Sequence, residues 1–133
     1  PMHKDILMKT AHDLVAAAKT RIHEIDLQEA DAAIKAADVV IDVREADEFH
    51  AGHIPGAINI PRGLLEFKLS NEPELAQRDQ KLVLYCKNSG RAALAACSLK
   101  EMGYLHVLSI QGGFEAWSAA DKAIDTPHLP AFD

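Results

Sequence analysis

A chain of 133 residues is long enough to form one domain and bury its own core without disulfide or metal staples. Its 48% hydrophobic and 26% charged residues exclude wholesale disorder, and no apolar run approaches the roughly 20 residues of a membrane span. Fourteen Lys and Arg against 20 Asp and Glu give a net charge of −6, with no basic stripe for a nucleic acid partner. Two cysteines are too few for a disulfide framework, so a reducing, cytoplasmic setting is expected. Pro1-Met2-His3-Lys4 carries no signal-peptide core, and Pro1 ahead of Met2 reads as an addition to the natural start.

From about residue 4 to 20, Leu7, Ala11, Leu14, Val15, Ala18 and Ile22 recur at helical spacing, opposite Asp5, Lys9, Asp13 and Lys19. This predicts an N-terminal helical extension within residues 1–21, packed on the domain in preference to forming a dimer contact. A short strand is expected over residues 22–25. Asp26, three residues before Glu29, is a capping pattern that opens a helix to about Ala36. The rhythm then changes. Val39-Val40-Ile41, Ala57-Ile58-Asn59-Ile60, Leu82-Val83-Leu84-Tyr85 and Val107-Leu108-Ser109-Ile110 are short apolar runs without clean alternation. Such runs suit strands buried on both faces of a parallel sheet. Helical stretches are expected between them, at residues 45–50, 62–69, 72–77, 91–102 and 113–120. The alternation predicts an α/β domain over residues 22–124, followed by an irregular tail over residues 125–133 with Pro127 and Pro130.

Ligands of open α/β sheets bind beyond the carboxyl ends of the strands. Leu82-Val83-Leu84-Tyr85 delivers Cys86 to such an end, and Lys87-Asn88-Ser89-Gly90 turns the chain into a helix starting near Arg91. Backbone N–H groups of residues 87–92 form a nest there, reinforced by the positive end of the helix. Such a nest stabilises a thiolate nucleophile and binds an anionic substrate beside it. Lys87 and Arg91 add positive charge, and Gly90 permits a tight backbone. The pattern alone leaves open a plainer reading, in which Cys86 is a small buried residue ending a strand.

Residues 85–96, Tyr85-Cys86-Lys87-Asn88-Ser89-Gly90-Arg91-Ala92-Ala93-Leu94-Ala95-Ala96, resemble the active-site loop of single-domain rhodaneses. Three further stretches agree in order: Ile41-Asp42-Val43-Arg44-Glu45-Ala46-Asp47-Glu48-Phe49, then Gly52-His53-Ile54-Pro55-Gly56-Ala57-Ile58-Asn59-Ile60-Pro61, then Gly112-Gly113-Phe114-Glu115-Ala116-Trp117. The resemblance spans about residues 22–120. It implies a rhodanese-like fold: a mostly parallel sheet of about five strands, helices on both faces, and the N-terminal helix as an addition. It also implies sulfur transfer. The Cys86 thiolate would take the outer sulfur of thiosulfate, or of a similar anionic donor, as a persulfide. An acceptor such as cyanide, a low-molecular-weight thiol or a thioredoxin-like protein would then remove it. No metal and no organic cofactor is implied.

Related phosphatases hold Cys and Arg one residue further apart than the four residues between Cys86 and Arg91, and no general acid stands in this loop. A persulfide relay fed by a protein donor and a non-turnover binding module are the alternatives. Many family members carry Gly where Ser89 stands or Ser where Ala92 stands, so Ala92 offers no hydroxyl to a bound anion.

The resemblance gives Asp42 and Arg44 the role of bracing neighbouring loops through hydrogen bonds and an ion pair. His53 is expected to satisfy backbone groups in its turn. With His50 it makes a poor metal pair, since no third ligand stands at a convincing spacing. Arg62 and Lys68 flank a segment close to the mouth and are read as solvated charges ahead of a donor- or partner-attracting role. Cys97 is too far along the helix from Cys86 for a disulfide. Phe114 and Trp117 are read as core anchors.

Overall fold

The computed structural model describes residues 8–127. The expected helical positions before Met8 and the tail beyond Pro127 lie outside the described residues. Five strands, β1 (His23–Ile25), β2 (Val39–Asp42), β3 (Ile58–Asn59), β4 (Lys81–Tyr85) and β5 (His106–Ile110), pair in the order β1-β5-β4-β2-β3. Every pairing is parallel. The helices are α1 (Ala11–Lys19), α2 (Leu27–Ala36), α3 (Ala46–Ala51), α4 (Leu65–Asn71), α5 (Pro73–Ala76), α6 (Gly90–Glu101) and α7 (Gly113–Ala119).

Two cores follow from the period of two along a strand. Ile41, Val43, Leu82, Leu84 and Cys86 face one side, where Leu65, Leu69, Leu75, Ala92, Ala95, Ala96 and Leu99 of α4, α5 and α6 cover them. Val40, Val83 and Tyr85 face the other, against Ala30 of α2, Phe49 of α3, Ile54, and Phe114 and Trp117 of α7. Both faces of β2 and β4 are therefore apolar, which is why their sequences show no polar alternation. Cys86 continues the Leu82–Leu84 row and so points to the α6 side.

The alanine-rich α6 is buried on more than the sheet side, with Ala92, Ala93, Ala95 and Ala96 all inaccessible. Its outer side is covered by α1. Val15 lies against Gly90 at the start of α6, and Lys100 near its end donates to the Arg21 carbonyl at 2.8 Å. The two helices therefore run side by side in the same direction, with Ala18 buried between them. That is the packing expected of the N-terminal helix.

The helix is shorter than the apolar stripe suggests. Residues 8–10 are not helical, because Thr10 caps the helix. Its Oγ1 accepts from the Asp13 N–H at 3.1 Å, and Asp13 Oδ2 accepts from the Thr10 N–H at 2.9 Å. The Asp26–Glu29 box opens α2 as expected. The strand expected over residues 57–60 has only two paired residues. The helix expected over 62–69 begins as a 3₁₀ turn at Arg62–Leu64 before α4.

Candidate active site

Cys86 follows the last residue of β4 and is fully buried. The chain after it closes back on the sulfur, so that the Ala92 N–H donates to Sγ at 3.4 Å. The turn is made locally: Asn88 Oδ1 accepts from the Ser89 N–H at 2.6 Å and the Gly90 N–H at 3.2 Å. The outer side of the loop is held by α7. The Phe114 N–H donates to the Cys86 carbonyl at 2.8 Å, and the Glu115 N–H to the Lys87 carbonyl at 2.9 Å. These two bonds fix the Cys86 and Lys87 carbonyls toward α7 and so pin the loop from outside.

This docking requires Gly113. Its φ is +54°, and a Cβ there would collide with the backbone oxygens of Asn88 and Cys86.

One expectation is corrected. Residues 87–92 do not present an open ring of amides, because the Asn88 side chain occupies the Ser89 and Gly90 N–H groups. The Arg91 charge does interact with Cys86, but the guanidinium is bonded elsewhere. It makes two bonds to Glu48, at 2.7 and 3.1 Å, tying the loop to α3. The Arg91 hydrogen bond holds the Glu48 carboxyl down at about 2, against the opposing effect of its partial burial. Lys87 is exposed and its side chain makes no hydrogen bond among the described residues.

The neighbouring brace is built on Asp42 and Arg44, both buried. Asp42 Oδ1 accepts from the Arg44 N–H at 2.9 Å, and its carboxylate accepts from the guanidinium at 2.8–3.1 Å. Arg44 also donates to the Gly52 carbonyl at 2.6 Å, and its guanidinium lies 4.3 Å from the centre of the Phe114 ring. Burial works against the Arg44 charge, but the hydrogen bonds and field of Asp42 outweigh it and raise its pKa above the ordinary arginine value. Asn59 donates to the Asp42 and Arg44 carbonyls at 3.0 and 2.9 Å. Tyr85 accepts from the Ile54 N–H through its hydroxyl at 3.0 Å. Burial pushes that phenol well above its ordinary pKa, so it stays neutral.

His53 stacks on Phe49 with 3.7 Å between ring centres, and its Nδ1 lies 3.0 Å from the Phe49 carbonyl. Its backbone pairs with Asp125 as an isolated antiparallel bridge, which ties down the start of the tail. His50 Nδ1 is likewise taken by the Ala46 carbonyl at 2.6 Å. Arg62 and Lys68 sit in i,i+4 ion pairs with Glu66 and Glu72. Cys86 and Cys97 are both free thiols. Trp117 is buried and donates to the Ala123 carbonyl at 2.7 Å.

Two site residues escape the sequence pattern. Glu48 reaches Arg91 across 43 positions, and Lys19 of α1 donates to Ser89 Oγ at 2.8 Å across 70. Nothing local to residues 19 or 48 announces either contact.

The chain is thus an α/β domain with a buried cysteine at the carboxyl end of a central parallel strand, inside a loop that leads into a helix. The Rhodanese-like domain family matches residues 26–120, and the chain belongs to that family. It is 42% identical over 84 residues to the uncharacterized protein YqhL of Bacillus subtilis, covering 63% of this chain and 64% of YqhL. It is 33% identical over 93 residues to the thiosulfate sulfurtransferase GlpE of Coxiella burnetii, covering 69% of this chain and 83% of GlpE. A solved Rhodopseudomonas palustris protein of unknown function, described as a possible tyrosine phosphatase, superposes with a TM-score of 0.82 at 33% identity. That match covers 90% of this chain and 96% of the other. Among the described residues, no helix is long and apolar enough to cross a membrane.

Proposed function

We propose that this protein is a sulfurtransferase that carries sulfane sulfur as a persulfide on Cys86, with thiosulfate or a similar anion as donor. The observation that carries the reading is the Cys86 Sγ, fully buried and facing the Ala92 N–H inside a loop pinned from outside by α7. The thiolate attacks the outer sulfur of thiosulfate. The S–S bond of the donor breaks, and sulfite leaves with the electron pair. The Ala92 N–H, in the first turn of α6, stabilises negative charge first on the thiolate and then on the persulfide. Cyanide, a low-molecular-weight thiol or a thioredoxin-like acceptor then takes the terminal sulfur and returns the Cys86 thiolate. The cycle calls on neither a metal nor an organic cofactor, and it suits a reducing cytoplasm that keeps Cys86 and Cys97 as thiols. The thiosulfate sulfurtransferase of Coxiella burnetii supports the choice of donor.

A protein donor or acceptor is the second reading, favoured by two exposed apolar side chains. Leu64 and Phe67 are 58% and 68% exposed. They follow β3, at the same carboxyl end of the sheet as Cys86.

The test is intact mass after incubation with thiosulfate, beside Cys86→Ser, followed by cyanide. The expected result is a gain of one sulfur atom by the wild type, its loss to cyanide as thiocyanate, and neither in the variant. A wild type that never loads refutes thiosulfate as donor. Loading by a cysteine desulfurase would then establish the protein-fed relay.

A further inference from the structure

The cations around the Cys86 loop are not equally available. Arg91 is committed to Glu48 by two hydrogen bonds. Lys87 is exposed and unanchored. Lys19 differs from both. It comes from α1, is only one-third exposed, and donates to Ser89 Oγ at 2.8 Å. Its helix is fixed beside the loop by Val15, one turn earlier, packed against Gly90. Lys19 forms an ion pair with Glu24, whose Oε2 lies 3.6 Å away, beyond hydrogen-bond distance, and is buried with no hydrogen-bond partner. Glu24 thus holds the ammonium in place while occupying none of its N–H groups. An ammonium has three donors, and among the described residues only the one to Ser89 is bonded. A place in the last turn of α1 suits any lysine, but the helix end needs no contact 70 residues away.

From this arrangement we infer that Lys19 is a substrate-binding residue: the cation by which α1 captures the anionic sulfur donor at the Cys86 loop. The inference rests on the persulfide reading of Cys86 and adds the donor's charge as its selected property. Arg91 is paired with Glu48, the Lys87 ammonium is unanchored, and Ala92 offers an anion no hydroxyl. An anchored ammonium at Ser89 supplies the missing attraction without a reorganisation step.

The test compares wild type, Lys19→Met and Lys19→Arg in pre-steady-state loading by thiosulfate, with Lys35→Met on α2 as a control for net charge. Lys19→Met is expected to weaken apparent donor affinity roughly two- to fivefold, the size of one partly exposed charge contact. The limiting loading rate is expected to change much less. Lys19→Arg should restore most of the affinity, Lys35→Met should match wild type, and added salt should weaken the wild type more than Lys19→Met.

A second readout needs no sulfur transfer: the ratio of Cys86 alkylation rates by iodoacetate and iodoacetamide, followed by peptide mass. The anionic reagent should lose its advantage in Lys19→Met, whereas a merely loosened loop would shift both reagents together. If wild type loads and Lys19→Met matches it in affinity and salt dependence, the inference falls and sulfur transfer stands. If wild type does not load, yet the iodoacetate preference depends on Lys19, the thiosulfate reading falls and the anion site stands. Loss of both signals overturns both.

Discussion

Replacing Gly113 by Ala tests how the loop is held. The residue sits at φ +54°, where a side chain costs about 1–2 kcal/mol. Its new Cβ would also meet only backbone: the Asn88 and Cys86 oxygens, and Lys87 C at 2.9 Å. Backbone cannot swing aside as a flexible side chain does, so α7 must back away from the loop. The Phe114 and Glu115 hydrogen bonds to the Cys86 and Lys87 carbonyls are then stretched or lost, at about 1 kcal/mol each. Together these put the destabilisation at about 3–4 kcal/mol, read as a lower urea midpoint at unchanged slope. Cys86 loading should slow as well, because the same bonds hold in place the loop that carries the Ala92 N–H to Sγ. Gly63→Ala is the matched control. Its Cβ would meet nothing within 4 Å and its φ is not positive, so stability should stay within about 0.5 kcal/mol of wild type. A Gly113→Ala protein within about 1 kcal/mol of wild type would refute the claim that close approach of α7 holds the loop.

Three other perturbations probe the scaffold. Asp42→Asn strips the charge partner from the buried Arg44 and should cost about 3 kcal/mol in urea unfolding. Tyr85→Phe leaves the Ile54 N–H without its acceptor inside the core, a loss of about 1–2 kcal/mol by the same assay. Glu48→Gln acts on pH dependence. The folded carboxyl sits at about 2, below its ordinary 4.5, so the ion pair with Arg91 stabilises the fold above pH 4.5 and is lost as pH falls through about 2. The pair is about one-third exposed, which holds its contribution to about 1 kcal/mol. Wild type should therefore lose more stability than Glu48→Gln between pH 5 and pH 2; parallel pH profiles would remove the ion pair from the account.

Elements written in local pattern were legible before any coordinates. The apolar runs of β2 and β4 gave buried parallel strands because both faces are covered, and Asp26 with Glu29 marked the start of α2. Periodicity failed at the first helix because a spaced apolar stripe carries no stop signal; the Thr10–Asp13 capping box supplied it. It failed at β3 because that strand lies at the sheet edge and pairs with β2 only at Ile58 and Asn59. Asn88 read as a turn former, which it is, but its occupation of two loop amides depends on one side-chain rotamer. The roles of Lys19 and Glu48 are set by which helices the fold lays beside the loop, and no local pattern encodes them.

Those long-range contacts bear on the choice between sulfur and phosphoryl chemistry, a choice the fold does not make by itself. A phosphoryl group spreads charge over three oxygens and draws on a ring of free amides plus a guanidinium aimed at it. Here Glu48 already holds the guanidinium of Arg91, and the Asn88 carboxamide already fills two of the amides. Only four residues separate Cys86 from Arg91, which shortens the ring further. What remains at the sulfur itself is the Ala92 N–H, a single donor suited to one compact anionic atom. A terminal persulfide sulfur is such an atom. In the proposed reaction the donor brings its larger charge to the rim, where Lys19 joins the exposed Lys87 of the loop. On that proposal the work is divided: the loop serves the sulfur that stays, and α1 the anion that delivers it.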